Sequence, residues 1–245
     1  MTTPIIVMEH VKIQFDGTWV HTDINLTVNT GDVLAIVGTS GSGKTTLMRE
    51  ILMLLKPNAG SIRVFDQELI NASPSTKLRV QRRWGVLFQQ NALFSSLTVL
   101  ENVMFPLTEH TNIKASTCRE LALLKILLVG LPIDAALKYP SQLSGGMQKR
   151  AALARAIVLD PELLFLDEPG SGLDPDSAKG LDELILSLRN SLGLTIVMIS
   201  HDLSSIKTVS NRVAFLNEGK VLAVAPMQEL IQHQDPIIRD FFKKD

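Results

Sequence analysis

Val33–Leu47 reads VLAIVGTSGSGKTTL. Val33–Val37 is a short apolar run rich in β-branched residues, which suits one buried strand, and the residues from Lys44 to Leu54 have helical spacing. Between them lies G-x-x-x-x-G-K-T, Gly38–Thr45. A Gly-rich loop of this pattern, entered from a strand and opening a helix, is a phosphate-binding loop. Its backbone N–H groups, from Gly38 through Ser40, Gly41, Ser42 and Gly43 to Thr46, are expected to surround the β- and γ-phosphates of a nucleotide. Lys44 is expected to neutralise them and the Thr45 hydroxyl to ligate Mg²⁺.

Working outward, LLFL (Leu163–Leu166) and LTIVMIS (Leu194–Ser200) repeat the apolar-run character, each followed by polar residues and a helical stretch. Continuous apolar strands alternating with helices predict a mainly parallel sheet covered on both faces, hence an α/β P-loop NTPase core. Residues 5–28 alternate around the turn Asp16-Gly17 and predict an N-terminal antiparallel β subdomain. Val99–Ile157 is almost wholly helical, with breaks near Lys114, Pro132 and Pro140, and predicts a helical insertion over about 90–158. No repeat or low-complexity linker interrupts the chain, so residues 1–245 are expected to form a single domain with a helical tail over about 235–245.

The strand ends carry the remaining chemistry. LLFLDE closes on Asp167 and Glu168. Charge at the end of a buried strand is costly unless it has a partner. In a nucleotide site Asp167 would hold Mg²⁺, directly or through water, and Glu168 would polarise the water that attacks the γ-phosphate. VMISHD places His201 where it can hydrogen-bond that phosphate or the attacking water. Ligands gather at the carboxyl ends of parallel strands, which favours this role over a structural one. In WGVLFQQN, the Gln89 amide can reach Mg²⁺ or the attacking water, with Gln90 competing for the same role.

A second cradle lies far downstream. LSGGMQKRAALARAI (Leu143–Ile157) sets Ser144, Gly145 and Gly146 at the head of a helical run, where backbone N–H groups again suit an anion. Anion-site physics alone does not say whose phosphate it serves.

Composition bounds the classes. The chain is 45% hydrophobic and 20% charged with a net charge of −1, so no broad basic footprint points to nucleic acid or an anionic membrane. The single cysteine, Cys118, excludes an internal disulfide and a cysteine-based zinc site, and is expected to be buried. Glu9, His10 and Lys12 interrupt the N-terminal apolar stretch, unlike a signal peptide. The later run Leu121–Leu131 carries Lys125 and Gly130 and falls short of the roughly 20 residues of a membrane span. A cytosolic protein that reaches a membrane through a partner is the expectation.

Taken in order and spacing, the phosphate loop, Gln89, LSGGMQ, LLFLDE, the SGLD of Ser171–Asp174 and His201 resemble the ATP-binding cassette ATPases over essentially the whole chain. LSGG is the most specific element of that resemblance. It implies that Ser144, Gly145 and Gly146 contact the γ-phosphate of ATP bound to the other subunit of a head-to-tail homodimer. By the same resemblance Asp174 lies in the loop coupling the two sites, and Phe15 matches the aromatic that stacks on adenine, with Trp19 as rival stacker. Gly170 and Gly172 depart from the larger residue and the alanine common in the family; they would make the coupling loop more pliable without removing a catalytic group.

The resemblance also implies a membrane permease that docks on the helical insertion, near Asn91–Leu107, where Leu93 and Phe94 are docking candidates among residues that are mostly core. SGGMQKRAALARAI, VGLP, KYPSQLSGGM, DEPGSGLDP and DPIIRDFF resemble the ATPases of the Mla/Mce-type phospholipid transporters. That subfamily implies transport of phospholipid between inner and outer membranes, a periplasmic Mce-type lipid-binding protein, a small STAS-domain partner and a place on the cytoplasmic face of the inner membrane. Other cassette systems, of amino-acid importer or lipoprotein-release type, share most of these motifs. A P-loop kinase or GTPase leaves LSGG unexplained, and no guanine-reading NKxD is present. In the tail, Ile237, Ile238, Phe241 and Phe242 are expected on one helical face, packed on their own domain or on another subunit. Lys77, Arg79, Arg82 and Arg83 read as a solvated basic face.

Overall fold

Asp16 and Gly17 both have positive φ, 48° and 79°, the type I′ geometry that matches the twist of the flanking strands. They join β1 (Pro4–Phe15) to β2 (Thr18–Asn29), and this antiparallel pair starts the chain as the alternation predicted. The computed structural model describes residues 3–243. Then follow β3 (Val33–Gly38), α1 (Lys44–Ile51), β4 (Ala59–Val64), β5 (Gln67–Glu68), α2 (Pro74–Gln81) and β6 (Trp84–Leu87). Helices α3 (Val99–His110), α4 (Ala115–Leu128) and α5 (Gly145–Ala156), with short 3-10 turns at Ile133–Leu137 and Pro140–Gln142, lead to β7 (Leu163–Asp167) and α6 (Pro175–Leu192). The chain ends with β8 (Thr195–Ile199), α7 (Leu203–Val209), β9 (Arg212–Asn217), β10 (Lys220–Ala225), α8 (Met227–Ile231) and α9 (Pro236–Phe241).

Two compact units divide these elements, residues 1–81 with 195–245, and residues 82–194. In the first, strands run in the order β5-β4-β1-β2-β10-β9-β3-β8. The β5, β4, β1 and β2 neighbours are antiparallel, whereas β3 is parallel to both β8 and β9. Val33–Val37 are all buried, as a strand covered on both faces requires. The structure adds a hairpin, β9–β10, turned at Glu218 (φ 45°) and Gly219 (φ 71°), whose second strand runs parallel to β2. Helix α1 stops at Ile51 rather than Leu54, because Met53 turns left-handed (φ 59°) and the Leu54 and Leu55 N–H groups both close back on the Arg49 carbonyl.

In the second unit β6 and β7 are parallel, and Trp84 meets Phe165 edge-on with ring centroids 5.7 Å apart. Ala151, Ala152 and Ala154 of α5 are fully buried. Small residues here admit a close neighbour: a Cβ on Gly85 of β6 would stand 2.0 Å from the Ala156 carbonyl oxygen, so only glycine lets the strand pass this helix. Cys118 is buried in α4.

The tail departs from its expected one-sided face. Ile238 and Phe242, one turn apart, are buried, and Phe241 packs on Phe215 of β9 with centroids 5.1 Å apart, but Ile237 is 51% exposed. Helix α9 is only six residues long, and Ile237 falls in its first turn, off the i, i+4 pair that is buried. The last two positions of the expected tail, Lys244 and Asp245, lie outside the described residues. Of the basic run, Arg79 and Arg82 are exposed, while Arg83 forms a two-point bond to Glu162 at 2.6 and 2.8 Å.

Candidate functional site

The first unit carries the phosphate loop. The first intrahelical bond of α1 runs from the Leu47 N–H to the Gly43 carbonyl at 2.8 Å, no side chain caps this helix end, and its first turn has no acidic residue. Such an end presents N–H groups and the positive pole of the helix dipole to an anion. Lys44 folds over the loop, its Nζ donating to the carbonyls of Gly38 and Thr39 at 3.0 Å each. Ser42 Oγ is buried and has no hydrogen-bond partner. A buried hydroxyl left unsatisfied inside a cradle of backbone amides is what a phosphate oxygen would complete, so the loop fits the group its sequence implies. Gly38, Ser40, Gly41, Gly43, Thr45 and Thr46 are exposed or half-buried around it.

Two more sets of predicted residues belong to this unit. His201 follows β8 and is exposed, next to Asp202, whose carboxylate caps α7 through the Ser204 and Ser205 N–H groups. Phe15 and Trp19 stand at the tip of the β1–β2 hairpin, 43% and 49% exposed, so both present a ring face to a base.

The second unit carries the carboxylates and the second cradle. Asp167 ends β7 almost fully buried, and Glu168, half-buried, turns left-handed at φ 50° and so breaks the strand. Asp167 and the Gln89 amide each offer the kind of oxygen that Mg²⁺ prefers, as the Thr45 hydroxyl does in the first unit. Gln89 and Gln90 are both exposed, but only the Gln89 backbone is held by a side chain among the bonds observed: its carbonyl accepts from Lys149 Nζ at 2.7 Å. Lys149 also reaches the Glu168 carbonyl at 3.4 Å. Burial lowers the Lys149 pKa, and the charges of Asp167 and Glu168 partly oppose this. Past Gln89, Asn91 and Ala92 are left-handed (φ 62° and 50°), and Arg155 ties down both carbonyls at 2.8 and 2.6 Å.

Ser144 caps α5, its Oγ accepting from the Met147 N–H at 3.3 Å. The hydroxyl still has its proton to donate, and Ser144 and Gly145 are exposed. A cavity of about 410 Å³, lined by Ser144, Gly146, Leu173 and Ser177 among others, opens beside them. Asp174 caps α6 from the facing loop, accepting from the Ser177 N–H at 3.0 Å. The Ser177 hydroxyl and this backbone bond lower its pKa.

Of the docking candidates, Leu93 is half-buried and Phe94 is 44% exposed, its ring tilted 54° against that of Phe105 with centroids 4.9 Å apart. Asn102, fully buried, holds this loop: its Oδ1 accepts from the Phe94 N–H at 2.8 Å, and its Nδ2 donates to the carbonyls of Phe94, Leu97 and Thr98 at 3.0–3.1 Å. Lys149, Arg155 and Asn102 escape motif reading. Their one sequence signal is a polar residue on a helix face otherwise filled by apolar ones.

The family model described as ABC transporter matches residues 21–171. The chain is 38% identical over 243 residues to the intermembrane phospholipid transport system ATP-binding protein MlaF of Haemophilus influenzae, covering 99% of this chain and 92% of that protein. It is 37% identical over 227 residues to the probable ribonucleotide transport ATP-binding protein mkl of Mycobacterium tuberculosis, covering 93% of this chain but 63% of that longer relative. Among solved structures, a dimeric post-hydrolysis state of the ATP-binding cassette MJ0796 bound to ADP and Pi superposes with a TM-score of 0.83 at 28% identity, covering 91% of this chain and 98% of that one. The chain belongs to the ABC transporter family.

Proposed function

We propose that this protein is the ATP-hydrolysing subunit of a transporter, that its two units work as one nucleotide-binding domain, and that it acts as a head-to-tail homodimer. The observation that carries this reading is the exposed Ser144-Gly145 head of α5 in a chain that already has a complete phosphate loop at Gly38–Thr46. One chain then contributes the loop to one site and the signature to the other. The loop amides and Lys44 bind the phosphates, and Phe15 stacks on the adenine. Thr45, Asp167 and Gln89 would hold Mg²⁺, which would supply charge neutralisation to the phosphates. Glu168 accepts a proton from the attacking water, His201 hydrogen-bonds the γ-phosphate, and Ser144, Gly145 and Gly146 close on the partner's nucleotide. Asp174 couples the two sites.

The cargo we infer is phospholipid moved between inner and outer membranes, supported by the near full-length likeness to MlaF. Among the described residues no helix is long and apolar enough to cross a membrane, and in this reading a permease supplies the path. The subunit then sits on the cytoplasmic face of the inner membrane, with an Mce-type lipid-binding protein and a STAS-domain protein as further partners.

Two experiments test the reading. Glu168→Gln should keep ATP binding, lose about 10²–10⁴-fold in turnover and accumulate a closed dimer; wild-type turnover would remove the assigned role. Affinity purification of the protein from its native membrane should recover an Mce-type protein; a sugar or amino-acid permease without one would overturn the cargo.

A further inference from the structure

Beneath the phosphate loop lies a buried polar pair that the mechanism above does not use. His21 of β2 and Glu50 of α1 are both fully buried at the side chain, with His21 Nδ1 2.7 Å from Glu50 Oε2. The other ring nitrogen, Nε2, is 3.1 Å from the Gly43 carbonyl oxygen. A peptide carbonyl can only accept, so the proton of that bond sits on Nε2 whichever of His21 and Glu50 holds the second proton. The fit is close: a Cβ on Gly43 would stand 2.5 Å from Nε2, and Gly43 already needs its positive φ of 97° to open the helix.

We propose that His21, held by Glu50, is a positioning residue of the phosphate loop: its Nε2–H fixes the Gly43–Lys44 peptide so that the Lys44 N–H is aimed at the bound phosphate. The C=O and N–H of a trans peptide point in opposite directions. Drawing the Gly43 oxygen toward His21 and the Leu47 N–H therefore turns the Lys44 N–H outward, into the loop. His21 touches no ligand and acts through this peptide. The role rests on the reading of Gly38–Thr46 as a phosphate loop.

Glu50 also makes the role testable. Its second oxygen, Oε1, is buried without a hydrogen-bond partner, so the pair is costly to bury. Replacing both members by apolar residues of similar size is often neutral or stabilising, and the double variant His21→Phe/Glu50→Leu should fold. It removes the donor to Gly43. Glu50→Gln instead keeps the chain of bonds, since the Gln amide can donate to Nδ1 while Nε2–H still bonds Gly43.

The test is titration of ATP into the full-length wild type, both variants and Lys44→Ala, with thermal melts to verify folding and steady-state ATPase rates alongside. The double variant should bind ATP roughly three- to tenfold more weakly, with kcat little changed. Glu50→Gln should stay within about twofold of wild type. A double variant that melts like wild type and binds ATP with wild-type affinity overturns the positioning role, because a purely structural pair predicts that result. A loss in Glu50→Gln equal to that of the double variant also overturns it. Lys44→Ala separates the premises: if it retains full ATP affinity, the phosphate-loop reading itself fails.

Discussion

Lys149 Nζ donates to the Gln89 carbonyl at 2.7 Å and to the Glu168 carbonyl at 3.4 Å, so one ammonium on α5 ties the backbone at Gln89 to that of Glu168, the proposed catalytic carboxylate. The same helix begins at the LSGG cradle. Through Lys149 and Arg155 this one helix is bonded to the backbone at Gln89, Asn91, Ala92 and Glu168, so in the proposed cycle it links the docking segment, the LSGG head and Glu168. Lys149→Met should lower kcat by about tenfold or more by misplacing Glu168, while ATP affinity, which the proposal assigns mainly to the phosphate loop, falls less. Steady-state kinetics and equilibrium titration check the split; equal losses in both would show that Lys149 does not act on the catalytic side.

Asn102 satisfies four backbone groups of the loop Phe94–Thr98 from a fully buried position. Asn102→Ala removes the side-chain partner of the Phe94 N–H and the Leu97 carbonyl, while the Phe94 and Thr98 carbonyls keep the Leu97 and Asn102 N–H groups, and it should cost roughly 2–4 kcal/mol in urea denaturation. The same variant should recover less permease from the membrane, because Phe94 loses its fixed presentation.

These two residues show what the sequence conveys and what it does not. The phosphate loop, the Asp16-Gly17 turn and the LLFLDE strand were legible because each is encoded by spacing over a few neighbouring positions. The expected roles of Glu168 and of Ser144 as part of an anion cradle follow from the same local patterns, whereas the partner's nucleotide as its target came only from the family resemblance. Lys149 reaches Gln89 across 60 positions, and His21 reaches Glu50 across 29, so their roles appear only once the strands and helices are placed. Local pattern also misled at the edges. The helical spacing of Lys44–Leu54 hid a left-handed Met53 that ends α1 early, and the doublet Ile237-Ile238 concealed that a short helix buries only one of the two.

The proposed stacker is decided by alanine substitution. Phe15→Ala should weaken ATP about tenfold, in the range of one base–aromatic stack, and Trp19→Ala should leave affinity within about twofold. Fluorescence titration with an ATP analogue distinguishes them, and the reverse order would assign the role to Trp19.

Asp174 gives a pH signature. The Ser177 hydroxyl and N–H lower its pKa, so between the folded and unfolded values the native state binds fewer protons. Its contribution to stability is therefore complete above the ordinary aspartate value of about 3.9 and disappears as pH falls through the folded value. Asp174→Ala should melt below wild type at neutral pH, and the gap should close as the solution is taken below that range. A gap that stays constant into acid would show that the ionised state of Asp174 adds nothing to the cap.

The central claim is that each chain supplies the phosphate loop of one site and the signature of the other. Lys44→Ala damages only the first and Gly145→Asp only the second, so each variant alone should be inactive. The decisive measurement is the ATPase rate of the two mixed in equal amounts. Half the dimers are then mixed and each has one intact composite site, which predicts recovery to roughly a quarter of the wild-type rate. A mixture as inactive as its components would contradict the account.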